Sequence, residues 1–83
     1  MNLSTVILLG IGRHTPGPDW RLAGQIHPHH EMIIILRGSQ YVQVQGDSCK
    51  AEAGDVFWFP EGVSHTEWGD PCDPVESLFI SLK

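Results

Sequence analysis

Residues 54–65 read Gly54-Asp55-Val56-Phe57-Trp58-Phe59-Pro60-Glu61-Gly62-Val63-Ser64-His65. Gly54 and Asp55 end a turn and start a strand, since glycine tolerates backbone angles that other residues avoid. Val56–Phe59 is apolar throughout and reads as a buried strand. Pro60 has no N–H to offer a ladder, and Gly62 turns the chain back. His65 then begins the returning strand. Within Val56–Phe59, Trp58 alternates with Phe57 and Phe59, so Trp58 occupies one face and the phenylalanines the other. With His65 turned inward, Trp58 offers a stacking wall for a small ligand, or simple core packing. Glu67 lies two residues beyond His65 and would share its face as an acceptor.

Upstream lies a second cluster, His27-Pro28-His29-His30-Glu31, followed after six residues by Gly38. In a continuous strand His27, His29 and Glu31 share one face and His30 lies on the other. Imidazole and carboxylate donors together suit a divalent transition ion such as zinc, iron, nickel or manganese. The same residues also suit a metal-free pocket wall, or polar positions at the mouth of a fold. Pro28 makes a local bend plausible, so alternation alone leaves the facing residues open.

The rest of the chain is read as short strands. Candidates are Thr5–Leu9, Trp20–His27, Glu31–Leu36, Gln40–Gln45, Val56–Phe59, His65–Trp68 and Val75–Leu82. Nine glycines and six prolines punctuate them. Gly38-Ser39 reads as a hairpin turn and Gly46-Asp47 as another. Tyr41–Gln45 alternates polar and apolar residues. This pattern predicts an all-β fold, a single small antiparallel barrel over residues 1–83. An 83-residue chain has a thin core. A thin core and the apolar Thr5–Leu9 together predict a homodimer.

The formal net charge is −5, and the five Lys and Arg residues are scattered. Without a basic stripe, direct nucleic-acid binding by this chain is not expected. The apolar run Val6–Leu9 is too short for a membrane span and has no preceding Lys or Arg to make it a signal segment. Cys49 and Cys72 form no Cys-x-x-Cys pair and read as two free thiols, as in a reducing cytoplasm.

The two clusters together resemble the paired motifs of the cupin superfamily, small antiparallel β-barrels that bind a metal or a small molecule inside. Gly54, Pro60, Gly62 and His65 match the second motif. Glu31, Gly38 and His27 match the first, whose leading histidine falls on Gln25. Two registers remain open: Gln25, His27 and Glu31, or His27, His29 and Glu31 with a shortened loop. The resemblance implies that His27, Glu31 and His65 converge on one interior pocket, with His29 the next candidate and Gln25, Trp58 and Glu67 touching a ligand. His30–Gly38, His65–Pro71 and Val75–Ile80 further resemble the N-terminal effector-binding domains of AraC-type transcriptional regulators. That group implies a dimeric barrel binding a sugar or other small polar effector, often without metal. The alternative is a small metal-dependent cupin enzyme, a dioxygenase or isomerase, with Glu67 or a free histidine as base.

Overall fold

In the computed structural model, which describes residues 5–83, the short alternating segments form eight strands. They are β1 (Leu8–His14), β2 (Arg21–Gln25), β3 (His30–Arg37), β4 (Ser39–Val44), β5 (Asp47–Glu52), β6 (Val56–Phe59), β7 (His65–Gly69) and β8 (Glu76–Leu82). Two four-stranded antiparallel sheets result, in the orders β1-β8-β3-β6 and β2-β7-β4-β5. Only β4 and β5 are neighbours in both sequence and sheet; every other step carries the chain across the sandwich.

The all-β antiparallel fold is as expected: the two sheets face each other, and no ladder joins them among the described residues. Some finer expectations are corrected. The first strand runs over Leu8–His14 and not Thr5–Leu9, although Ile7 still exchanges backbone hydrogen bonds with Lys83. Asp47–Glu52 is a strand that its polar composition hid. It is an edge of the second sheet, and only Ala51 is buried on it.

Gly46-Asp47 does mark a hairpin. Gln45 and Gly46 both have positive φ, 51° and 85°, and Val44 pairs with Asp47, as a two-residue turn between twisted strands requires. Gly38-Ser39 is instead the corner where the chain leaves one sheet for the other. Gly38 has φ 73°, and a Cβ there would collide with the Pro74 carbonyl oxygen. The Ser39 N–H donates to the Asp73 carbonyl at 3.1 Å and locks the corner.

Inward-facing Ile33 and Ile35 on β3, Val42 on β4, Ala51 on β5, Phe59 on β6 and Val75 form the core. The outer face of the first sheet is also apolar. Ile11, Ile80, Met32 and Trp58 stand in register as one row across all four strands, beside a row of Arg13, Leu78, Ile34 and Val56. Ile11 is 63% exposed, Val56 56% and Trp58 48%.

Candidate metal centre and ligand pocket

Two hydrogen bonds between loops bring the distant clusters together. The Gly62 N–H donates to the His27 carbonyl at 3.0 Å, and the Glu61 N–H donates to His30 Nδ1 at 2.9 Å. The turn that follows β6 is thereby pinned against the loop that precedes β3. His27 from that loop, Glu31 from β3 and His65 from β7 each place one donor atom within 4.8 Å of the others. His27 and Glu31 are half-buried and His65 is buried. Two imidazoles and a carboxylate at this separation form a donor set that fits a divalent transition ion.

The His65 ring is fixed on both sides. Phe59 stacks on it nearly parallel, at 5° and 3.9 Å between centroids. His65 Nδ1 lies 3.4 Å from the Val63 carbonyl. An N–H at Nδ1 leaves Nε2 as a bare lone pair, the tautomer that binds metal. Nε2 is buried and has no hydrogen-bond partner among the described residues. Burial lowers the His65 pKa below its ordinary value, against a smaller opposing effect of the Val63 carbonyl, so the imidazole is kept neutral.

Behind this cluster a cavity of about 180 Å³ opens between the sheets. Its polar wall is His14, His27, Glu31, Gln40, Glu67 and Ser77, and Trp20 and Phe79 supply flat apolar surface. Gln40 Nε2 donates to Glu67 Oε1 at 3.0 Å, and both side chains are buried. Burial pushes the Glu67 carboxyl up to about 7, opposed by the Gln40 hydrogen bond. The metal-free fold therefore holds a proton on Glu67 that the unfolded chain releases near 4.5. Stability of the metal-free chain should fall, not rise, as pH climbs from about 4.5 to 7, by up to about 3 kcal/mol. Urea titrations across that range check this, and Glu67→Gln should flatten the slope.

The structure distributes the anticipated residues unevenly. His27, Glu31 and His65 meet. Residues 26–29 are not strand, so the simple alternation that put His29 beside them does not apply; His29 stacks on His27 at 5.0 Å, outside the group of three. Gln25 pairs with His65 across the β2–β7 ladder and turns its amide toward the Ala23 carbonyl at 3.4 Å. Glu67 lines the cavity. Trp58 does not wall it: it is on the outer face, stacked on His30 at 5.2 Å, and the aromatic against His65 is Phe59. Gln40 was overlooked, although it shares alternation with the apolar Val42 and Val44 and so had to face inward. His14 and Trp20 carried no local signal; they enter the cavity because β1 runs on past Gly12 and the chain then crosses to the second sheet.

Residues 9–82 match the family described as the AraC-like ligand binding domain. The chain belongs to that family. This AraC-like domain also superposes on a cupin superfamily protein from Desulfitobacterium hafniense with a TM-score of 0.80, at 14% identity, covering 99% of this chain and 81% of that one. The polyketide cyclase RemF from Streptomyces resistomycificus gives 0.78 at 19% identity, covering 86% of this chain and 51% of that one. At such identities these likenesses establish the cupin fold and nothing finer. A gentisate 1,2-dioxygenase from a Ralstonia species is 29% identical over 80 residues, which is 96% of the AraC-like domain and 22% of the dioxygenase. The chain thus spans about a fifth of that dioxygenase and half of the cyclase.

Proposed function

We propose that this domain binds a small polar ligand, such as a sugar, in the cavity between its sheets. The character of that cavity carries the reading. Its volume of about 180 Å³ equals roughly six water molecules. It offers carboxyl, amide, hydroxyl and imidazole groups beside Trp20 and Phe79, and no Lys or Arg. A ligand rich in hydroxyl donors with a flat apolar face complements it, whereas in the metal-free chain a carboxylate ligand would meet Glu31 and Glu67 with no Lys or Arg to balance it. Buried, mutually oriented Gln40 and Glu67 are preorganised acceptors and donors, and a binding module needs affinity rather than turnover.

The second reading, a metal-dependent enzyme, draws on the His27, Glu31 and His65 group and on the dioxygenase relative. A divalent ion held there would polarise a bound substrate as a Lewis acid. In either case Gln40 orients Glu67 and Phe59 immobilises His65. Thermal-shift screening against sugars and other small polar compounds, with and without added iron, manganese, nickel or zinc, tests both. Stabilisation by a neutral polyol without its consumption is expected. Metal-dependent turnover near 1 per second would establish the enzyme instead.

We also propose that the domain pairs with a second copy through the outer face of its first sheet. The row Ile11, Ile80, Met32 and Trp58 is apolar, and Arg13 and Glu76 neutralise each other there at 3.2 Å. Such a face lets two chains of net charge −5 approach without strong repulsion. Sedimentation should show a dimer at micromolar concentration, and Ile80→Lys should give only a 9.2 kDa species.

A further inference from the structure

One feature of the site lies outside the three-residue group. His65 Nε2 points at Glu67 Oε2 across 3.6 Å. That is too long for a hydrogen bond, and with the N–H on Nδ1, facing the Val63 carbonyl, Nε2 carries a lone pair. His65 is 2% exposed and its Nε2 has no hydrogen-bond partner among the described residues. In the metal-free fold a proton on Glu67 relieves this facing of two buried electron-pair donors; with Glu67 ionised, a cation shared by both takes that role. Donor atoms bound at about 2.1 Å to one ion stand about 3.0–3.4 Å apart for octahedral to tetrahedral angles. The observed gap is within a few tenths of an ångström of that range.

From this geometry we infer that Glu67 is a fourth protein ligand of a divalent metal held by His27, Glu31 and His65. The donor set is then two imidazoles and two carboxylates. Glu67 takes the place of the histidine missing at Gln25, entering from β7, the strand paired with β2 in the same sheet, two residues beyond His65. Gln40 binds Oε1 and leaves Oε2 for the ion, the usual arrangement by which a neighbouring group orients a ligating carboxylate. Glu31 and Glu67 repel each other across the cavity. Two carboxylates neutralise a divalent ion, which lowers the cost of burying it. Two oxygen donors also shift the preference from zinc and copper toward manganese and iron(II).

The inference rests on the metal centre and not on the identity of the polar ligand. Its test is calorimetric titration of the whole chain with Mn²⁺, together with the absorption spectrum of the Co²⁺-loaded protein. Wild-type protein should bind one Mn²⁺ per chain. Glu67→Gln keeps the shape of the side chain but removes the anionic donor; affinity should fall at least 10–100-fold and the Co²⁺ bands should move. Gln40→Leu should give a smaller loss with little change in the bands. Circular dichroism of both variants reports whether the sheets persist. Should Glu67→Gln prove unfolded, Glu67→Asp, which keeps the charge on a shorter stem, should bind Mn²⁺ at least tenfold more weakly with shifted Co²⁺ bands. Mn²⁺ affinity within twofold of wild type in a folded Glu67 variant, with unchanged Co²⁺ bands, overturns the assignment. So does a wild-type chain that binds no Mn²⁺, a result that leaves the sugar-binding reading intact.

Discussion

The combined substitution His27→Ala and Glu31→Gln is expected to abolish divalent-metal uptake, from one ion per chain to none, while the sheets remain folded. Each removes one donor of the group whose atoms lie within 4.8 Å of each other. Altering a group that merely orients a ligand costs 10–100-fold in metal affinity, so losing two ligands should exceed that by orders of magnitude. The pair is chosen for its mild structural effect. His27 lies in the loop between β2 and β3, and Glu31→Gln preserves volume. Removing His65 instead would strip a buried ring from its stack on Phe59 and confuse metal loss with unfolding. Elemental analysis of the dialysed, tag-free protein and far-ultraviolet circular dichroism give the two readouts. Unchanged metal content in the folded variant would move the centre away from these residues.

Phe59→Ala should be the most destabilising change near the site. Phe59 is 4% exposed, sits opposite Glu31 in the β3–β6 ladder, and stacks on His65. Truncating a buried phenylalanine to alanine costs about 3–5 kcal/mol. A chain of 83 residues has about 4–12 kcal/mol to lose. The melting temperature should therefore fall by more than about 12 °C, and metal affinity should fall with it, because His65 loses its wall. Phe59→Leu should cost markedly less, since it leaves a smaller void. A urea-derived loss below 1 kcal/mol for Phe59→Ala would show that Phe59 is not a keystone of the core.

Much of the fold was legible in local chemistry. Gly54, Pro60 and Gly62 impose a strand, a stop and a return whatever lies around them, because φ restriction and a missing N–H act within a few residues. Alternation placed Phe57 and Phe59 on one face and Trp58 on the other. It could not say which face was interior, since both are apolar; the outer face of the first sheet is apolar too, and Trp58 lies on it. Asp47–Glu52 went unread because an edge strand buries almost nothing and so carries no hydrophobic period. Gly38-Ser39 looked like a hairpin because a positive-φ glycine serves a corner between sheets as well as a turn within one.

The sequence by itself determined that this chain is all-β, that it carries two cupin-like clusters, and that His27, Glu31 and His65 are their chemical members. Spacing and residue type encode these things over a dozen residues at a time. Only the tertiary structure decided that His29 stands behind His27, that Phe59 rather than Trp58 holds His65, and that Gln40 turns Glu67 toward His65 Nε2. Gln40 and Glu67 are 27 residues apart and meet because β4 and β7 are paired in the second sheet. Strand order across the sandwich is set by the joint burial of all eight strands, and no local stretch of the chain contains that information.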